Sequence, residues 1–177
     1  MVYYMIYTIP LILGLFANLI AGNYVRKRAE NRLAHPYTPL PDLLHDCFPK
    51  NKFIPVFLPD YFLLLCIAVV VYYRSSLVEF EKNVLTIGLC SIIRSFSICF
   101  TTMPTCMPAS NKWFHGSHDL MFSGHSLFFI GIGNMLNSST IPVLGPFLLV
   151  VARQHYTIDV CVSALVYFAV YTKISII

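Results

Sequence analysis

The chain has 177 residues, 57% of them hydrophobic and 11% charged, with a formal charge of +4 and a mean hydropathy of +0.70. Soluble domains carry about 25% charged residues, so the composition excludes an ordinary soluble domain. A charge this small and this dispersed gives no footing for nucleic acid. The expectation is one membrane-embedded domain over residues 1–177, all-α and polytopic.

Val2–Ala21 is uncharged and long enough to span a bilayer, which takes about 20 apolar residues. A cleaved signal peptide would have a shorter apolar region preceded by basic residues. Here Arg26, Lys27, Arg28 and Arg32 follow the run instead, as an interfacial cluster at the level of lipid phosphates. Pro36, Pro39 and Pro41 exclude a regular helix up to Asp42. Phe53–Tyr73 reads as the second span, with Asp60 near its start, where a structural and a catalytic role stand level. Arg74–Asn83 reads as a charged loop. Val84–Met103 reads as the third span and carries Arg94 near its middle. A guanidinium there faces the bundle interior or water, and its fork of donors suits phosphate; pairing with an acid such as Asp60 is the alternative.

Trp113 lies in the next loop as an interfacial anchor. The fourth span runs from Leu120 to Leu136, and Asn137–Thr140 is a tight turn. The fifth, Ile141–Val151, is short and holds Pro142, Gly145 and Pro146; it spans only where the bilayer thins or polar turns dip inward. The sixth runs from Tyr156 to the end of the chain. The six cysteines are scattered without a CxxC pair, which argues against structural zinc. Cys47 and Cys106 fall in loops, and their pairing stays open.

Two stretches carry chemistry. In Arg153-Gln-His-Tyr-Thr-Ile-Asp159, read as helical, His155 and Asp159 are four apart and share a face. A carboxylate there holds one imidazole nitrogen and leaves the other as a nucleophile. About thirty residues upstream lies Asp119-Leu-Met-Phe-Ser-Gly-His125. A single histidine at a helix mouth is more often a packing residue; two, with a carboxylate, point to chemistry on a lipid headgroup. Six spans place the one–two, three–four and five–six loops on one face, which gathers Asp42, Asp119, His125 and His155. The other loop histidines, His35, His45, His115 and His118, carry no recognisable spacing.

His155-Tyr-Thr-Ile-Asp159 with Ser123-Gly-His125 resembles the sphingomyelin synthase family, within the type-2 phosphatidic acid phosphatase superfamily. Pro39-Leu-Pro-Asp42, Arg94 with Thr101-Thr-Met-Pro104, and Asp119-Leu-Met-Phe-Ser-Gly-His125 are similar to three further elements of that family, in the same order. Ser117-His118 stand where the family usually has Cys-Gly. The resemblance implies a six-transmembrane helical bundle. It implies transfer of a phospho-alcohol headgroup, phosphocholine or phosphoethanolamine, from a glycerophospholipid to ceramide, with release of diacylglycerol and without metal or cofactor. His155 would be the nucleophile, Asp159 its orienting carboxylate and His125 the general acid and base. Arg94, Asp119 and Ser123 would contact substrate. The implied partners are membrane lipids, and a homo-oligomer stays open.

Rival readings are a lipid phosphate phosphatase, a phosphatidylcholine:diacylglycerol cholinephosphotransferase and a non-catalytic membrane scaffold or transporter. The superfamily's phosphatases usually carry a Lys-rich element before Ser-Gly-His, and none is found here. Arg26, Lys27, Arg28, Arg32, Lys50, Lys52, Lys112 and Arg153 lie on the site face, against Arg74, Lys82 and Lys173 on the other. Basic residues favour the cytoplasmic side. The resemblance implies the reverse, a lumenal or extracellular site in an endomembrane (Golgi or ER) or the plasma membrane.

Overall fold

The computed structural model describes residues 2–32, 40–48, 54–73, 77–101, 103–104 and 121–174. Among them are seven helices and no strand: α1 (Val2–Arg32), α2 (Leu43–Cys47), α3 (Leu58–Tyr73), α4 (Leu77–Phe100), α5 (Gly124–Met135), α6 (Ile141–Val151) and α7 (Thr157–Ile174). Three contain stretches long and apolar enough to cross a membrane: Tyr7–Ala29, Glu79–Phe100 and Thr157–Ile174. The chain is therefore a helical protein with membrane-spanning character.

The remaining apolar segments are helical but short. α3 has 16 residues, α5 has 12 and α6 has 11. The fourth apolar run does not start its helix at Leu120. Ser123 is extended and caps α5, its hydroxyl accepting from the Ser126 N–H, so helix begins only at Gly124. α1 runs on through the basic cluster, and α4 starts at Leu77 inside the expected charged loop. The α5–α6 turn falls where expected. Asn137 takes a left-handed φ of 50° after the α5 cap, and the Ser138 N–H returns to the Gly133 carbonyl.

α5 is the central helix and packs on α3, α4, α6 and α7. Leu127, Phe129, Ile130 and Ile132 are buried around its circumference, as expected of a helix apolar on all sides. α1 packs along α4. Where lipid is the solvent, burial of apolar surface does little to join helices, so close backbone approach and interhelical hydrogen bonds carry the association. Both occur at this crossing. A side chain at Gly88 would meet the α1 backbone at Pro10 and Leu11, and one at Gly14 would meet the Gly88 carbonyl. One turn on, the Asn18 amide donates to the Ser91 carbonyl at 2.7 Å. The outer face of α1 exposes Ile12, Phe16 and Leu19, and α7 exposes Leu165 and Phe168. Such faces suit acyl chains.

Candidate active site

The site forms where the loop after α6 meets the first turns of α3, α5 and α7. α6 ends in a Schellman motif. The Gln154 N–H bonds the Leu149 carbonyl and the Arg153 N–H bonds the Val150 carbonyl. The left-handed residue of that motif is usually glycine; here it is Arg153, at φ 62°. The reversal carries the chain out of α6 and sets His155 two residues ahead of α7.

His155 and Asp159 do meet, but not as a helical pair. His155 precedes α7, and Asp159 lies in the helix's first turn. Asp159 Oδ2 accepts from the Tyr156 N–H at 3.1 Å, the back-reaching half of a capping box. The same oxygen lies 3.5 Å from His155 Nδ1. That is ion-pair range but off hydrogen-bond geometry, and Nδ1 and Asp159 Oδ1 are both buried without a hydrogen-bond partner among the described residues. Catalytic hydrogen bonds are commonly long before substrate binds and tighten in the complex. His155 is 6% exposed and Asp159 1%. Burial, outweighing the carboxylate beside it, pushes the His155 imidazole below its usual pKa. It is therefore neutral near pH 7, the state a nucleophile needs.

His125 sits in the first turn of α5, its ring centroid 6.5 Å from that of His155. Its Nε2 lies 3.0 Å from Asp60 Oδ1 in the first turn of α3. Gln154, the residue before His155, donates to Asp60 Oδ2 at 2.9 Å and to the Val56 carbonyl at 2.7 Å. Each imidazole thus has its own carboxylate, and Gln154 ties the two pairs together. His125 and Asp60 side chains are 36% and 26% exposed. One histidine is sealed and the other is open to incoming groups.

Arg94 is 7% exposed on α4. Its Nε donates to the Phe122 carbonyl at 2.8 Å and its Nη1 to Asn18 Oδ1 at 2.5 Å. The guanidinium borders Gly124 at the start of α5, and its charge reaches His155. Phe122, at φ 34°, is a second bulky residue in left-handed backbone, three positions before His125 as Arg153 is two before His155. Such strain persists where the surroundings over-determine it, commonly at active sites. Here Arg94 holds the Phe122 carbonyl, and the Phe122 ring is 2% exposed.

Ser123 is fully buried. Its hydroxyl caps α5, its N–H donates to the Asp159 carbonyl at 3.2 Å, and its carbonyl accepts from the Ser163 hydroxyl at 3.0 Å. It therefore joins α5 to α7 and positions His125. Asp119, together with Cys106, Trp113, His35, His115 and His118, lies outside the described residues. Cys47 is exposed. Phe122 and Phe129 pack inside the bundle, Phe129 stacking on Phe62 with centroids 5.5 Å apart.

Sequence reasoning left Asp60 undecided and passed over His45, Asn18 and Gln154. His45 is 4% exposed, and its Nε2 lies 3.1 Å from the His155 carbonyl. Asp42 caps α2 and accepts from the Thr157 N–H at 2.6 Å and the Thr157 hydroxyl at 2.7 Å. Burial raises the Asp42 pKa, but the bonds from Thr157 and His45 outweigh it and hold the carboxyl below its usual value. The Asp42-Leu-Leu-His45 spacing of a capped turn was the one available signal for His45.

Compared with family models, with curated proteins and with solved structures, the chain matches none.

Proposed function

We propose that the chain is a lipid phosphotransferase that moves a phosphocholine or phosphoethanolamine headgroup from a glycerophospholipid to ceramide through a phosphohistidine on His155. The observation that carries this reading is the facing pair of imidazoles, each against its own carboxylate, at the helix mouths of an apolar bundle. The choice of ceramide as acceptor rests on the resemblance of the Pro39–Asp42, Arg94–Pro104, Asp119–His125 and His155–Asp159 elements to the sphingomyelin synthase family.

In the first half-reaction the free His155 nitrogen attacks the donor phosphorus. A phosphorus–nitrogen bond forms and the phosphorus–oxygen bond to diacylglycerol breaks. His125, protonated and held by Asp60, gives its proton to the departing oxygen. Asp159 stabilises the positive charge that develops on His155. In the second half-reaction His125 takes the proton of the ceramide hydroxyl, whose oxygen attacks phosphorus as the phosphorus–nitrogen bond breaks. Arg94, beside the N-terminus of α5, supplies positive charge where the phosphoryl oxygens become more negative.

This proposal takes the short helices α3, α5 and α6 as spans alongside the three long ones, giving six. It takes the site as lumenal or extracellular. Arg26, Lys27 and Arg28 on α1 then bind lipid phosphate at that surface. A second reading, hydrolysis, is favoured by the exposure of His125 and Asp60, which admits water beside the phosphoryl group.

The test uses purified protein and headgroup-labelled phosphatidylcholine or phosphatidylethanolamine, with and without ceramide. Labelled phospho-ceramide forming only when ceramide is supplied, with a matching rise in diacylglycerol, supports the transferase. Free labelled headgroup at the same rate regardless of ceramide supports the phosphatase. Label on added diacylglycerol alone supports glycerolipid exchange.

A further inference from the structure

The loop that carries His155 is fastened at its ends by the caps of α6 and α7, and through Gln154 to α3. Residues 152–156 lie between two helices, and Arg153 is left-handed without being glycine. A segment more than a hundred residues earlier in the chain supplies further constraints. The Arg153 guanidinium donates to the His45 carbonyl at 2.7 Å and the Phe48 carbonyl at 3.2 Å, both at the end of α2. Asp42 holds the Thr157 backbone and hydroxyl on the other side of His155. The Tyr156 hydroxyl accepts from the Leu40 N–H and donates to the Pro104 carbonyl, each at 3.0 Å. Residues 153, 156 and 157 are thus fastened to 40–48, and His155 lies among them.

His45 closes the arrangement. Its Nε2 lies 3.1 Å from the His155 carbonyl. A carbonyl only accepts, so that nitrogen carries the proton. The ring is 4% exposed and rests against Tyr156 with centroids 5.6 Å apart. Burial, with the Arg153 charge next in effect, keeps it below the usual histidine pKa. The bond is therefore a neutral N–H to carbonyl bond in a dry setting, made to the peptide unit of the nucleophile itself.

We propose that the α2 segment is a strap that sets the position of the nucleophile, and that His45 is a positioning residue acting through the His155 carbonyl. The catalytic part of this inference rests on the function proposed above. Loss of the bond removes the hold on the carbonyl end of the 155–156 peptide, leaves the Tyr156 N–H to Asp159 bond at its other end, and shifts the imidazole out of line with His125. An error of that size lowers turnover far more than it lowers substrate binding.

The test compares His45→Phe, His45→Gln and the parent chain in lipid nanodiscs. Phenylalanine keeps the buried ring without a donor; glutamine keeps an N–H donor. His45→Phe is expected to lower kcat by at least about tenfold, with KM within about twofold. His45→Gln is expected to recover most of that loss. Amide hydrogen exchange over residues 152–158 is expected to quicken in His45→Phe and stay at the parent rate in His45→Gln. A His45→Phe variant with parent kcat overturns the positioning role. Unchanged exchange over 152–158 in His45→Phe overturns the strap. If the parent chain transfers no headgroup, the proposed function fails, and the exchange measurement still decides the strap.

Discussion

His125 and His155 face each other with ring centroids 6.5 Å apart, and each meets a carboxylate on a different helix, Asp60 on α3 and Asp159 on α7. The two halves are unequal. The His155 pair is buried, and the His125 pair is half-open. In the proposed mechanism nucleophile and proton carrier are distinguished by these surroundings, since the side chains are the same.

Asp60 engages Nε2 of His125, and in the proposed mechanism this fixes which nitrogen faces the reacting group. Asp60→Asn is therefore expected to lower kcat on the order of 100-fold while KM changes little. Steady-state kinetics in mixed micelles checks this. A variant with parent kcat removes Asp60 from the proton-transfer pair.

Asn18 orients Arg94. Its amide oxygen accepts from the guanidinium, and its amide nitrogen donates to the Gly14 and Ser91 carbonyls. Asn18→Leu leaves a buried guanidinium short of one acceptor. The expected loss is about 1–3 kcal/mol of stability, with weaker binding of phosphate-bearing lipid. Thermal melting and a lipid titration measure the two effects.

The depressed pKa values of His45 and His155 give the fold an acid limit. Both groups stay neutral in the folded state at pH values where the unfolded chain, with histidine near 6.5, takes up protons. Stability is thus fully present above about pH 6.5 and is lost as pH falls toward the lower folded values. Melting temperatures from pH 8 to pH 5 are expected to fall on the acid side, and His155→Gln is expected to flatten that fall. A parent profile level across this range contradicts the prediction.

Close approach at Gly88 is what lets α1 lie on α4. Gly88→Val drives a branched side chain into the Pro10–Leu11 backbone. Overpacking of this kind costs about 1–3 kcal/mol. A melting temperature equal to that of the parent indicates a looser α1–α4 contact than the one described.

Apolar runs and the two histidine motifs were legible in the sequence because burial and helix formation leave local patterns. The fifth segment, Ile141–Val151, came out with its expected ends because Thr140-Ile-Pro and the turn before it punctuate strongly. The start of the fourth was misplaced by four residues, from Leu120 to Gly124, since hydropathy cannot register that Ser123 prefers to cap. His155 and Asp159 lie side by side, at 3.5 Å and without a hydrogen bond, through the turn that opens α7 and not through the helical spacing that suggested the pair. Asp60, Gln154, His45 and Asn18 join the site through contacts between distant segments. Apart from the capped turn Asp42-Leu-Leu-His45, nothing in their neighbours in sequence marks those contacts.

The proposed reaction is a double displacement at phosphorus, with His155 as the intermediate carrier. Its most direct test is the stereochemical course of transfer, using a donor lipid whose phosphodiester is a chiral phosphorothioate of known configuration. Two successive in-line displacements through phosphohistidine predict retention of configuration in the ceramide product. Inversion, the mark of direct attack by the acceptor, rules out a phosphohistidine intermediate.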